Sequence, residues 1–282
     1  MNVFLTGGTG FVGSAVLRSL LKSGHSVIAL SRSARSSNAL RGAGASVVEG
    51  DITDSGWVAQ QLVLADAAIH TASPGDEASR GVDAAVAEAA VAAFSGTSKP
   101  YVHTGGVWVY GSGDDITEDQ PFNAPPITAW RTAVENIVLD TDVHATIVQP
   151  GVVYDGIKGI PGTLATSPRD ESGALHLIGS GNQHWTTVHV DDLGDLYRMM
   201  AESGIGHGYV LGVSGQNPTV REIGEAMAAG SGVVPESDAE TRARLGDLYA
   251  GALLLDQQAG GAKARSLGWA PTRPSLIDEL RG

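Results

Sequence analysis

Short apolar runs alternate with longer segments of helical spacing through the first half of the chain. Val3-Phe4-Leu5 is such a run; a glycine-rich turn follows, and Phe11 to Leu21 then carries apolar residues at helical intervals. Comparable runs stand at 26–30, 46–48, 67–69, 101–102 and 145–148. Ala-rich or amphipathic stretches separate them, most clearly at 79–94 and 129–139. Strand, helix, strand repeated in this way predicts a parallel sheet covered on both faces. Right-handed crossovers make such a sheet doubly wound.

The texture changes after Gln149-Pro150-Gly151. Residues 151–185 are rich in Gly, Pro and Ser and only weakly periodic. His207–Leu211 reads as a further strand, Val220–Ala229 as a helix entered through Pro218-Thr219, and Ser275–Leu280 as a short helix after Pro271 and Pro274. The expected architecture is an α/β fold, a Rossmann doubly wound parallel sheet with a small C-terminal substrate lobe. Its domains would be 1–150, rejoined to the sheet by 187–215, and a lobe of 151–186 with 216–282.

Composition narrows the partners. Of the 282 residues 42% are hydrophobic and 17% charged, which is globular and not disordered composition. The net charge of −13 argues against nucleic acid and acidic membranes, which need a basic field. No apolar run reaches the roughly 18 residues of a membrane span, so a cytoplasmic protein is expected, a monomer or homodimer acting on a small molecule. Zero cysteines exclude disulfides and thiol nucleophiles. The charge is uneven: Arg18, Lys22, Arg32, Arg35 and Arg41 all precede the first acidic residue, Glu49. A cationic end could hold a small anion; chance placement of solvated arginines is the plainer alternative.

Candidate chemistry sits at that end. Thr6-Gly7-Gly8-Thr9-Gly10-Phe11-Val12-Gly13 follows the first strand and opens the first helix. Glycines at 7, 10 and 13 permit a tight turn, let backbone reach a pyrophosphate and let helix pack on strand. Amides at the helix N-terminus would face the phosphates. An NAD site places an acidic residue at the end of the second strand, about 20 residues on. Here Leu30-Ser31-Arg32-Ser33 stands there instead. Ser31 and Arg32, with Arg35 as a second cation, suit a 2′-phosphate, so NADP is expected ahead of NAD.

With these residues assembled, the chain resembles the extended and atypical short-chain dehydrogenase/reductase superfamily, the NAD-dependent epimerase/dehydratase-like group. Gly50-Asp51-Ile52-Thr53-Asp54 resembles its adenine-contacting segment, implying adenine contacts for Asp51 and Ile52. Ile69-His70-Thr71-Ala72-Ser73 resembles the segment beside the cofactor ribose. Val109-Tyr110-Gly111 matches the motif after the fifth strand, and Val188-His189-Val190-Asp191-Asp192-Leu193 a His-Val-x-Asp signature. Gln149 to Tyr154 is similar to the stretch lining the nicotinamide, which implies contacts from Pro150, Val152 and Val153.

The catalytic positions depart from the family's pattern. The resemblance implies a Ser or Thr holding the substrate oxygen, a Tyr acid and a Lys four residues later. Alignment on Val109-Tyr110-Gly111 puts the serine at Gly106; alignment on Glu135 puts the tyrosine at Ile127 and the lysine at Arg131. Glycine and isoleucine donate no proton and arginine stays charged, so the usual Tyr-x-x-x-Lys pair is expected to be lacking. Three accounts stay open. A relocated acid could serve, with Tyr110 first, Thr104 second and Tyr154 third. The substrate could be a carbonyl, enone or imine that takes its proton from water or is already cationic. Or the chain is a non-catalytic NADP-binding sensor. A nucleotide-sugar epimerase or dehydratase is a further alternative, and Arg131 could hold the cofactor ribose in each.

Trp108, Trp130 and Trp185 flank these segments, and Trp108, Trp185 and Tyr154 are candidate walls of an apolar substrate pocket, with ordinary packing as the alternative. His184 and His189 lack a recognised ligand spacing, so no metal is expected. His189 with Asp191 and Asp192 reads as a structural tether. No Gly-x-Ser-x-Gly or Gly-Lys occurs, which argues against a hydrolase elbow and a Walker loop.

Overall fold

Val3, Phe4 and Leu5 are buried to 1% exposure or less on the first strand, β1 (Asn2–Thr6). The computed structural model describes residues 1–282 and pairs β1 in parallel with two neighbours. On one side is β2 (Ser26–Ser31), on the other β4 (Ala67–His70), with Val3 opposite both Val27 and Ala67. With β3 (Ser46–Glu49), β5 (Pro100–Thr104), β6 (His144–Pro150) and β7 (Gly208–Gly212) they form a seven-stranded parallel sheet ordered β7-β6-β5-β4-β1-β2-β3. This is the expected doubly wound sheet. The order reverses between β1 and β4, so the connections leaving these two strands diverge and open a crevice at their carboxyl ends.

Helices follow from the same periodicity. α1 (Phe11–Lys22) buries Ala15, Val16, Leu17 and Leu20 on one stripe and ends on Lys22, whose charge suits the helix C-terminus. α2 (Ala34–Gly42) and α3 (Ser55–Val63) start at Ser33 and Asp54, whose side chains accept the amides of Ser36 and Trp57. α4 (Ser79–Phe94) is the Ala-rich segment; its small side chains let it pack between α3 and α5 (Arg131–Leu139). Phe4, Leu62, Val86, Phe94, Tyr101, Val138 and Ile147 meet in the core beneath these helices.

Two compact units account for the chain. The first comprises 1–105, 130–149 and 193–210; the second comprises 106–129, 150–192 and 211–282. Residues 106–129, which the sequence pattern groups with the first domain, cluster with the second unit, as do 187–192 and 211–215 of the segment expected to rejoin the sheet. In the second unit Val152–Asp155 pairs with Thr187–His189 and Lys158–Gly159, and Gln257–Ala259 pairs with Gly113–Ile116. Val152, Tyr154, Leu177, Trp185, Ile223 and Leu276 form its larger apolar cluster. No helix is long and apolar enough to cross a membrane.

Candidate functional site: a glycine-built cleft and a buried charge cluster

The crevice between β1 and β4 is built by glycine. Gly7 has φ of +74°, and a Cβ there would lie 2.6 Å from the Ala72 amide. A Cβ on Gly13 would overlap the Gly7 carbonyl, so α1 can meet the turn only without a side chain. The helix cap, Gly10, offers no side-chain acceptor, and no acidic residue stands in the first turn. The free amides of that turn therefore open beside a cleft lined by Gly7, Thr9 and Gly10.

Beyond them the cleft is lined by Leu30, Ser31, Arg32, Ser36 and Ile52, and on the other wall by Thr71, Ala72, Ser73, Pro74 and Val82. No Asp or Glu lines it; Arg32 is its single charged residue. Ser31 donates to the Ser33 carbonyl at 3.0 Å and lies 3.1 Å from the Ser37 hydroxyl, while Ser33 caps α2. Arg32 is exposed and makes no hydrogen bond or ion pair within the chain. Free amides, a cation with hydroxyls beside it, and apolar walls fit an anionic dinucleotide.

The cleft gathers Gly7, Thr9, Gly10, Ser31, Arg32, Ile52, Thr71, Ala72 and Ser73 from the anticipated cofactor residues. Phe11, Val12 and Gly13 form the first turn of α1, outside the lining, and so do Arg35 in α2 and Asp51. Asp51 turns onto its own loop, accepting from the Thr53 amide at 2.9 Å and hydroxyl at 2.7 Å, and these bonds hold its carboxyl below the usual range. Pro150, Val152 and Val153 belong to the second unit, where Val152 and Val153 pair with Thr187 and Val188. Thr6, Leu30, Ser36, Pro74 and Val82 line the cleft without having been singled out in the sequence.

Beside the cleft lies a buried cluster that the sequence reading missed. Asp83 of α4 is 2% exposed and receives His70 Nε2 at 3.1 Å, Arg131 Nη1 at 3.4 Å and, more distantly, His103 Nε2 at 3.8 Å. Thr6 Oγ1 accepts the amides of Thr71 and Ala72, so its proton goes to His70 Nδ1 at 2.7 Å and His70 donates through Nε2. Tyr101 donates to His103 Nδ1 at 2.8 Å. Burial, and then the neighbouring His70, push the His103 pKa down to about 3. Burial alone would raise the Asp83 pKa, but the His70 bond and the surrounding positive charge outweigh it and hold the carboxyl low. A carboxylate at a core-facing position of an Ala-rich helix is the signal that could have found it.

The candidate proton donors fare unequally. Thr104 donates its hydroxyl proton to the His70 carbonyl at 2.6 Å and accepts from Tyr197 at 2.8 Å, so that proton is committed. Tyr154, 1% exposed, donates to the Pro274 carbonyl at 2.6 Å, and burial pushes its pKa up. Tyr110 is buried and meets Phe122 edge-on, with ring centroids 5.1 Å apart. Against expectation, one Tyr-x-x-x-Lys spacing does occur, Tyr154 to Lys158. It lies in an antiparallel hairpin, with Lys158 exposed and bound to Asp155 at 2.7 Å, so it does not form the one-face helical pair the mechanism needs. Arg131, at the aligned lysine position, donates to the Thr104 carbonyl at 3.0 Å as well as to Asp83.

The expected pocket walls are core residues in part. Trp185 is 3% exposed with its indole proton on the Leu253 carbonyl at 3.0 Å, and Tyr154 packs in the same apolar cluster; Trp108 is half-buried, edge-on to Tyr249. Asp191 pairs with Arg273 and Asp192 accepts the Thr272 and Arg273 amides, contacts that lie within the second unit. Asp155, His189 and Glu279 bring ligand-type atoms within 4.8 Å of one another. His189 Nδ1 accepts the Asp191 amide, however, so Nε2 carries the proton and donates to Glu279 at 3.2 Å.

A model of the NAD dependent epimerase/dehydratase family matches residues 3–212. The chain belongs to that family. Among curated relatives, the yeast (Saccharomyces cerevisiae) uncharacterized protein YLL056C is 28% identical over 303 residues, covering 100% of this chain and 98% of the relative. The human epimerase family protein SDR39U1 is 25% identical over 306 residues, covering 100% and 99%. Its crystal structure with NADPH superposes with a TM-score of 0.73 at 21% identity, over 100% of this chain and 98% of that one. DesIV, a dTDP-glucose 4,6-dehydratase from Streptomyces venezuelae, gives 0.76 at 23% identity, over 100% and 95%. Both structural likenesses speak to the fold.

Proposed function

We propose that this family member is an NADP(H)-dependent oxidoreductase of the atypical short-chain type, acting on a small carbonyl, enone or imine. The observation that carries the cofactor choice is the charge of the cleft. In a protein of net charge −13, no carboxylate lines it and Arg32 is its one charged residue. A carboxylate at the end of the second strand would select the free 2′-hydroxyl of NAD; Arg32 and Ser36 offer a cation and a hydroxyl to a 2′-phosphate, while Ser31 holds the turn through the Ser33 carbonyl. The similar structures carry both cofactors, NADPH in human SDR39U1 and NAD in DesIV, so the charge of the cleft itself bears the choice.

In this reading the amides of the first turn of α1 bind the pyrophosphate, Leu30 and Ile52 flank the adenine, and Arg131 donates to the nicotinamide-side ribose. The bound nicotinamide would supply the hydride. The chain's own part is to hold the cofactor and orient it, because the protons of Thr104 and Tyr154 are already committed to carbonyls. Solvent, or Tyr110 as the first candidate of the sequence, would then protonate the product, which favours an acceptor undemanding of a strong acid.

Titration of purified protein with NADPH and NADH tests the cofactor assignment. Arg32→Ala should weaken NADPH roughly tenfold to a hundredfold, the value of hydrogen bonds to a charged group, and leave NADH nearly unchanged. Equal loss for both would count against it. NADPH oxidation is then followed with aldehydes, ketones, enones and imines; tight binding without turnover on any class would reduce the proposal to cofactor binding. Replacing Tyr110 by Phe separates protein from solvent as the proton source.

A further inference from the structure

We infer that Asp83 is a positioning residue whose buried carboxylate fixes the Arg131 guanidinium toward the hydroxyls of the nicotinamide-side ribose. The inference rests on reading the cleft as the NADP(H) site and adds to it a residue on a helix that no cofactor motif includes. A carboxylate that is 2% exposed on the core face of α4 is costly unless paired, and Asp83 has few ways to be paired. His70 and His103 each present Nε2 while their Nδ1 atoms are occupied by the Thr6 and Tyr101 hydroxyls. Both turn Nε2 toward Asp83, and Arg131 brings the permanent positive charge that balances the carboxylate.

The converse matters more for function. Arg131 sits in the first turn of α5, with its side chain 17% exposed and one face stacked on Trp130, 4.8 Å from the ring centroid. Only Nη1 is committed, to Asp83 and to the Thr104 carbonyl at the end of β5. Nε and Nη2 keep their protons free. β5 neighbours β4, whose continuation Thr71-Ala72-Ser73 is one wall of the cleft. A long side chain with many rotamers thereby becomes a fixed fork with donors to spare beside the cleft, and holding it so in advance saves ordering cost when a ligand binds.

The test compares two probes. NADPH carries both riboses; adenosine 2′,5′-bisphosphate carries the adenine half and its 2′-phosphate but no nicotinamide ribose. Asp83→Asn is nearly isosteric and should weaken NADPH roughly tenfold while leaving the bisphosphate within about twofold. In an Arg131→Gln background, Asp83→Asn should add no further loss for NADPH, because the two residues act as one. Asp83→Glu, which restores the charge, should recover part of the affinity. Equal weakening of both probes would mean a merely structural role and overturn the inference, as would unchanged NADPH affinity or additive losses. If the unaltered protein binds neither probe, the cofactor reading falls and takes the inference with it. Should Asp83→Asn alone fail to fold, Asp83→Asn/Arg131→Gln removes both charges together. It should match Arg131→Gln for NADPH and the unaltered protein for the bisphosphate, and any other pattern overturns the inference.

Discussion

Replacing Glu135 with glutamine should stabilise the protein at alkaline pH and do little in acid. Glu135 lies one helical turn beyond Arg131 on α5 and is 1% exposed. Its carboxyl lies against the Gly105 backbone, where a Cβ would come within 2.8 Å of Oε1, and faces the Tyr209 phenol. Burial pushes the carboxyl from 4.5 up to about 7, against the pull of the Arg131 charge. At about 1.4 kcal/mol per pH unit, ionising this group costs about 3 kcal/mol more in the folded chain than in the unfolded one. Because the folded pKa is the higher, the folded state holds its proton while the unfolded state loses it. Stability is therefore undiminished below about pH 4.5, falls as pH rises toward 7 and levels off above that. The amide of a Glu135→Gln variant cannot ionise and keeps nearly the same shape as the carboxyl. Urea denaturation at pH 5 and pH 8 should show the substituted protein ahead by up to about 3 kcal/mol at pH 8 and by less than about 1 kcal/mol at pH 5, with an unchanged denaturant slope. A stability difference that does not vary with pH would refute this reasoning, since it would mean that Glu135 titrates alike in both states.

Two further outcomes follow from the glycine turn and the second unit. Gly13→Ala drives a methyl group into the Gly7 carbonyl; it should lower stability by about 1–3 kcal/mol and abolish NADPH binding, read by thermal unfolding and titration. Tyr154→Phe removes the bond to the Pro274 carbonyl and should cost about 1 kcal/mol in denaturant melts. Turnover on any substrate found should be unaffected by it, whereas a loss beyond tenfold would restore Tyr154 as the proton donor.

The sheet was legible because every strand in it is a short apolar run ended by a turn. Val3–Leu5 and Ala145–Val148 needed only periodicity to be found, and the Gly7, Gly10 and Gly13 spacing located the turn that meets the crevice. The second unit was less legible. The helices Asp238–Leu245 and Asp247–Leu253 are short, and Leu248 is exposed on the second, so an apolar stripe hardly registers. The start of the first is signalled instead by the capping box of Ser237 and Glu240. Residues 106–129 lie between two segments of the first unit in sequence, and nothing in their composition marks that they pack with 211–282. Tyr154 and Trp185 misled for a related reason. Aromatic residues near a cofactor motif are read as pocket walls, but once a hydroxyl or indole proton finds a carbonyl, as both do, they serve equally well as core.

Asp83 was illegible for a deeper reason, and the reason bears on how the site works. A lysine at position 131 could shed its charge or swing to solvent; an arginine can do neither cheaply, because it stays protonated and its guanidinium must be satisfied in a plane. Placing Arg131 beside buried His70 and His103 thus demands a counter-charge from somewhere, and α4 is the element packed against α5. The required acid lies 48 residues upstream in sequence, at a helix position that pattern alone assigns to alanine or valine. Two imidazoles turn Nε2 toward the same carboxylate, and burial keeps His103 uncharged by pushing its pKa down to about 3, so Arg131 supplies the permanent charge. An acidic protein that keeps carboxylates out of its cleft has thus placed one behind it, where it balances Arg131 without repelling an anionic ligand at close range.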